Sequence, residues 1–153
     1  MSDVDRVRFG DSRLPGRWWN LVQLGDSGCW EWKSAAEKRN YARFQVGGKM
    51  WLSHRYAYHV LIGPIPDGLV IDHLCRNPPC VNPAHLEAVT HRENTLRGNG
   101  ACAVHARKTQ CPRGHPYDEA NTRMIAGGRT CWICTRKWWK ETNARRRKTK
   151  VAD

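Results

Sequence analysis

Nothing in this chain is long and apolar. No run of its 153 residues approaches the ~20 apolar positions that a membrane-crossing helix requires, which argues against a helical membrane protein. The stretch from Met1 to Gly16 is polar and charged, without the apolar segment of a secretory leader; the sequence therefore predicts a cytosolic chain and no membrane partner. Acidic residues are scarce: 14 Asp and Glu stand against 26 Lys and Arg, a net charge of +12. A surface of that sign excludes polycations as partners and concentrates polyanions, of which nucleic acid is the commonest. Core-building residues are also thin, at 40% apolar with only two Phe and three Met, so metal staples are expected to help hold the fold. Seven cysteines are an odd number for a full disulfide framework. In a reducing compartment such cysteines, set among seven histidines, point to metal instead.

Along the chain, residues 1–17 carry little pattern and read as a flexible N-terminal arm. From Trp18 to Trp51 aromatics, glycines and polar residues alternate. Cys29 to Trp32 and Tyr41 to Val46 read as short strands, and Gly47-Gly48 as a hairpin turn before Lys49-Met50-Trp51. Ser53 is placed to cap a helix over His54–Leu61, ended by Gly63-Pro64. Leu69 to Ile71 and Leu86 to Val89 suit strands on either side of a long loop. Thr90 and Glu93 form a capping-box pattern for a helix from His91 to about Arg97. Residues 101–110 read as a linker, 111–135 as a small ribbon, and 136–153 as a basic, helical tail. The expected main domain spans 18–100.

Two ligand sets stand out. Cys75, Cys80 and His85 lie in one loop at equal spacings, three of the four thiolate or imidazole donors a tetrahedral zinc site wants. Cys29, the only upstream cysteine, is the natural fourth. Cys111, His115, Cys131 and Cys134 form the second set, with a hairpin-like insert from Asn121 to Gly128. Apolar content between Cys111 and Cys134 is too small for a self-supporting core, so bound metal would supply much of the folding energy there. Cys102 is left over and reads as a free thiol.

Between the zinc donors sit residues of a different kind. Asp72 and Asn94 are hard oxygen ligands suited to Mg²⁺, and His73 follows Asp72 directly. Phosphodiester hydrolysis needs an activated water, a cation against the developing charge, and help for the leaving oxygen. On a regular strand Asp72 and His73 face opposite sides, so a twist or bulge is expected if both serve one phosphate. His54, His59, His91 and His105 have no paired ligand and read as surface or satisfied histidines. Trp18, Trp19, Trp30 and Trp32 read as core.

Residues 69–98 resemble the HNH, or His-Me finger (ββα-metal), endonucleases. The pattern His73-x-Cys75-x4-Cys80-x4-His85, with Asn94 nine residues on, is similar to the zinc-bearing His-Cys box homing endonucleases, and Asp72 ahead of the histidine is similar to phage HNH homing enzymes. The resemblance implies an α+β fold: a small zinc-stapled ββα-metal domain with an N-terminal antiparallel sheet and a C-terminal zinc ribbon. It implies a catalytic group of His73 as general base, Asn82 as a brace for the loop, and Arg43 steadying the phosphate. Asp72 and Asn94 would hold one catalytic Mg²⁺ or Mn²⁺, and His85 would be structural, beside two structural Zn²⁺ in all.

The end of the chain carries eight Lys and Arg from Arg136 to Lys150 against Glu141. Arg136, Lys137, Lys140, Arg145, Arg146, Arg147 and Lys148 are the expected contacts to double-stranded DNA phosphates, with Trp138 and Trp139 anchoring the helix against the ribbon. The expected activity is metal-dependent hydrolysis of DNA by a phage or intron-type homing endonuclease, acting in the cytoplasm of a bacterial host. The alternatives are a zinc protein that binds nucleic acid without cutting it, and a structure-selective or packaging-associated HNH nuclease. Whether it acts as a monomer or homodimer stays open.

Overall fold

The computed structural model of the chain describes residues 6–33, 41–126 and 128–149. Residues 1–5 of the expected arm, 150–153 of the expected tail, and the Lys148 side chain lie outside the described residues. The chain divides into two compact units, Met1–Arg97 and Gly98–Asp153. Both are mixed α and β, built on short two-stranded antiparallel sheets.

In the first unit a short helix α1 (Gly16–Trp19) leads into β1 (Val22–Leu24), which pairs with β2 (Trp30–Trp32). A second hairpin joins β3 (Arg43–Val46) to β4 (Lys49–Leu52) through Gly47 and Gly48. Their φ values of 55° and 77° are those of a turn with two left-handed central residues, which glycine adopts without a Cβ penalty. Helix α2 (Ser53–Leu61) follows with no intervening loop. Ser53 is consequently the first helical residue and not the cap: its N–H donates to the Ala42 carbonyl at 2.8 Å and its buried hydroxyl makes no hydrogen bond.

Indole rings dominate the core. Trp18 packs edge-on against Trp19 and Trp32, Trp19 against Trp30, and Trp32 against Phe44, with centroids 4.8–5.9 Å apart. Such edge-to-face contacts add to the large area each ring buries. Val22, Ala57, Leu61 and Val81 complete the cluster. Val7 and Leu14 belong to it as well, and Phe9 packs edge-on against Trp19 and Trp30, so the described part of the expected flexible arm is packed.

The functional frame comes next in the chain. Strand β5 (Leu69–His73) pairs with β6 (Leu86–Thr90) in unbroken register from Leu69↔Thr90 to His73↔Leu86. Helix α3 (His91–Arg97) then starts on a reciprocal cap. Thr90 Oγ1 accepts from the Glu93 N–H at 3.1 Å, while Glu93 Oε2 accepts from the Thr90 N–H at 3.0 Å.

The second unit holds helix α4 (Ala101–Arg107), strands β7 (Thr122–Ile125) and β8 (Gly128–Cys131), and the long helix α5 (Trp132–Thr149). Helix α4 occupies most of the expected linker. Its run of Ala, Cys, Val and His lacks a helical apolar stripe because only Ala103 is buried, and so gave no periodic signal. Buried Asn121 ties ribbon to helix: its Oδ1 accepts from the Ile133 N–H at 2.9 Å, and its carbonyl from the Trp132 N–H at 2.8 Å. Trp138 and Trp139 do not anchor α5 to the ribbon. They are 60% and 62% exposed, since the helix leaves the ribbon after its first turn. Among the described residues no helix is long and apolar enough to cross a membrane.

Candidate functional site

The loop between β5 and β6 is held in place by its backbone before any side chain acts. Val81 N–H donates to the Trp30 carbonyl at 2.8 Å and Trp32 N–H to the Pro79 carbonyl at 3.2 Å, so residues 79–81 lie along β2 as a third, irregular strand. This brings Cys29, at the start of β2, to Cys75, Cys80 and His85. Their four ligand atoms lie within 4.8 Å of one another. Ideal tetrahedral zinc bonds of 2.3 Å to sulfur and 2.0–2.1 Å to nitrogen put a sulfur and a nitrogen donor about 3.5 Å apart. The observed separations from His85 Nδ1 are 3.4 Å to Cys29 and 3.6 Å to Cys80.

The second set repeats the geometry. Cys111, His115, Cys131 and Cys134 also converge within 4.8 Å. His115 Nδ1 lies 3.5, 3.2 and 3.7 Å from Cys111, Cys134 and Cys131, and the Cys111–Cys134 sulfurs are 3.7 Å apart. The thiols are unequal. Burial works against ionisation of Cys131, but hydrogen bonds from the Cys134 amide and the Asn121 side chain outweigh it and bring that thiol to about 6. Burial and the neighbouring thiols push Cys134 up to about 11. In the first set burial likewise raises Cys80 and Cys75. Clustered thiols that cannot all ionise alone are a donor set for a soft or borderline cation such as Zn²⁺.

Beside the first set opens a cleft of about 180 Å³ lined by Tyr41, Ile71, Asp72, His73, Arg76, Pro78 and Asn94. Asp72, His73 and Asn94, 22 positions apart at the extremes, thus share one small cavity. No bulge was needed: β5 stays in register, and consecutive Asp72 and His73 are both buried at its end, 4% and 6% exposed. His73 is the last strand residue, and the cleft sits at the loop end of the hairpin, lined by both Asp72 and His73.

His73 is oriented on three sides. Its Nε2 lies 3.0 Å from the Cys80 carbonyl. A carbonyl only accepts, so Nε2 carries the proton and Nδ1 keeps a lone pair. The Tyr41 ring stacks on the imidazole at 5.8 Å and 18°, and the His54 ring lies 4.9 Å away. Burial lowers the pKa of His73 below its ordinary value, and drives buried His54 down to about 3. Both imidazoles are neutral at pH 7.

Asp72 meets two guanidinium groups, Arg76 at 2.8 Å and Arg97 at 3.5 Å. Arg97 also bonds Glu87 at 2.5 Å. Arg76 sits in the left-handed region at φ 56°, sparsely populated for a side chain of its size, in the turn closed by its N–H to the His73 carbonyl. That turn aims the guanidinium back at Asp72. Asn82 lies outside the cleft lining: its Nδ2 donates to the Gly28 carbonyl at 2.9 Å and its Oδ1 accepts from the Ala84 N–H at 3.0 Å. It joins the loop to the residue before Cys29.

Arg43 is exposed on β3 and is not among the cleft residues; Arg76 lines the cleft, and Arg97 reaches Asp72 from α3. Sequence reasoning missed both, together with Tyr41 and His54. Arg76 had a signal, the four-residue spacing from Asp72; His54 had none, as its partner is 19 positions away. Of the expected DNA contacts, Arg136, Lys137, Lys140, Arg145, Arg146 and Arg147 are exposed along α5.

A hairpin, a loop carrying a Cys₃His cluster and a capped helix thus surround an Asp-His-Asn cleft. Residues 52–96 match the HNH endonuclease family; the chain belongs to that family. It is similar to three phage proteins. With Protein 7.7 of Escherichia phage T7 it is 39% identical over 67 residues, 44% of this chain and 52% of that protein. With Protein 2.8 of the same phage it is 35% identical over 77 residues, 48% of this chain and 51% of that one. With the uncharacterized gene 5.3 protein of Enterobacteria phage T3 it is 36% identical over 73 residues, 42% of this chain and 72% of that one. The chain spans about half the length of the two phage T7 proteins. No solved structure matches it.

Proposed function

We propose that this protein is a metal-dependent DNA endonuclease with a ββα-metal site, in which His73 is the general base. The observation that carries the reading is His73 itself, buried in the cleft with its Nε2–H on the Cys80 carbonyl and its Nδ1 lone pair available. His73 would take a proton from water at Nδ1, and burial keeps it neutral and ready at pH 7. Asp72 and Asn94 would hold one divalent ion, Mg²⁺ or Mn²⁺, as a carboxylate and an amide oxygen suit a hard cation. Such an ion, when bound, neutralises charge on the scissile phosphate and the departing oxygen. Arg76 and Arg97, both paired with Asp72, would steady the phosphate, the role the resemblance gives Arg43. Asn82 braces the loop and touches no reacting atom. The two Cys₃His sets would each hold a structural Zn²⁺, and exposed Arg136 to Arg147 would contact duplex phosphates.

Similarity to phage proteins supports a phage-encoded enzyme acting in the cytoplasm of a bacterial host, and homing is the role the sequence pattern favours. One observation favours the non-enzymatic reading instead: Asp72 already bonds two guanidinium groups, a stable arrangement without a cation. Incubation of supercoiled plasmid with the protein separates the two. The nuclease reading expects nicked or linear DNA with Mg²⁺ or Mn²⁺, and loss of cleavage in Asp72→Ala and Asn94→Ala at matched DNA affinity. Intact plasmid at every Mg²⁺ and Mn²⁺ concentration would leave a binding protein.

A further inference from the structure

Helix α5 carries exposed indole rings that phosphate contact does not use. Trp132, Arg136, Trp139, Asn143 and Arg146 fall at spacings of 0, 4, 7, 11 and 14. At 3.6 residues per turn these positions share one face of the helix. Trp132 and Trp139 on it are 42% and 62% exposed. Their positions are about 10.5 Å apart along the axis, with Arg136 between them. A groove of about 540 Å³, lined by Trp132, Ile133, Arg136, Lys137, Lys140 and Glu141, flanks this face and shares Trp132 and Arg136 with it. With Ile133 and Trp138 also 46% and 60% exposed, the helix leaves a cluster of large apolar side chains in water, the mark of an interaction surface.

We propose that this face of α5 binds unpaired bases of single-stranded DNA, with Trp132 and Trp139 as stacking platforms and Arg136 on the backbone between them. Charge selects the occupant. A face that interleaves indoles with cations, on a chain of net charge +12, is complementary to a ligand that is both polyanionic and flat-ringed. A protein partner would need only one of those properties, and duplex DNA offers its phosphates but keeps its base faces stacked. Stacking on aromatic side chains tolerates any base, because every base has a π-face. Arg123 already lies over the Trp132 ring at 5.4 Å, a guanidinium that would border a base seated there. The surface deepens the nuclease reading by naming a substrate feature, a frayed, looped or displaced strand next to the cut.

The test is binding rather than cleavage, so it can fail independently of the catalytic assignment. Full-length protein is titrated, without added Mg²⁺, with a single-stranded oligonucleotide, an abasic oligonucleotide of equal length, and the matching duplex. The single strand is expected to bind more tightly than the abasic strand and to quench tryptophan fluorescence. Trp139→Ala should lower single-strand affinity by about fivefold to a hundredfold, Trp139→Phe should restore most of it, and abasic affinity should not move. Trp139 is five residues past Cys134, so unchanged zinc content checks that the ribbon still folds. Arg136→Ala should weaken all three ligands. Equal affinity for single and abasic strands, or Trp139→Ala binding like the parent, would overturn the proposal. So would loss of self-association in Trp139→Ala with oligonucleotide binding unchanged, which would assign the face to a second copy of the chain.

Discussion

The same four donors appear twice in this chain, and their surroundings could hardly differ more. The first Cys₃His set sits against a cluster of four tryptophans and closes a loop already held by strand-like hydrogen bonds to β2. The second has almost nothing to lean on: among its unit's described residues, only Ala103, Cys111, Cys131 and Asn121 are buried. Two of those four are the ligands themselves. A metal in the first unit would shape a loop on a domain that has its own core, whereas in the second it would stand in for the core. The difference also separates roles. The unit with its own core carries the cleft, and the unit without one carries the exposed basic helix.

The largest expected effect breaks the second unit. Structural zinc in small domains is worth about 10–16 kcal/mol, so Cys131→Ser should melt that unit, with loss of the α5 helical signal and rapid proteolysis beyond Gly98. Cys80→Ser should leave the tryptophan core folded and protease-resistant while loosening the loop and cutting cleavage. Equal damage from the two changes would erase the contrast. A smaller effect probes the loop without touching a ligand. Asn82→Ala strips partners from the Gly28 carbonyl and the Ala84 N–H and should destabilise the first unit by about 1–3 kcal/mol, leaving unfolding of the second unaltered. The smallest effect is a matter of pH. His54 falls from 6.5 to about 3 on folding, so its contribution is fully present above pH 6.5 and lost as pH falls towards 3. His73 shifts in the same direction. The urea midpoint of the first unit should therefore drop between pH 7 and 5.5, by up to about 1.4 kcal/mol per pH unit for one histidine, and His54→Phe should flatten that slope. A slope unchanged by the substitution would place the acid sensitivity elsewhere.

Much of the site was legible because its residues are close in sequence. Regular spacing exposed Cys75, Cys80 and His85, and Thr90 with Glu93 announced the helix that carries Asn94. Cys29 was found by elimination, as the only cysteine upstream. What escaped was made by tertiary contact. Tyr41 and His54 reach His73 from other elements, and no local pattern marks them. Arg43 was expected from the family resemblance alone, whereas the arginines at Asp72 are Arg76, aimed by an unusual backbone turn, and Arg97, at the end of α3. The N-terminal arm hid its packing because Val7 and Leu14 are isolated apolar residues in a polar stretch. Trp138 and Trp139 misled in the other direction. Tryptophan is usually buried, and only the departure of α5 from the ribbon shows that here it is not.

The central claim is that one loop does two jobs, with cysteines and His85 holding shape while His73 activates water. Zinc content and plasmid cleavage measured on one preparation of His73→Ala test it most directly. The account predicts two zincs per chain, DNA affinity like the parent's, and cleavage reduced by about 10²–10⁴-fold or more. Cleavage at the parent's rate by a fully zinc-loaded His73→Ala protein would contradict it.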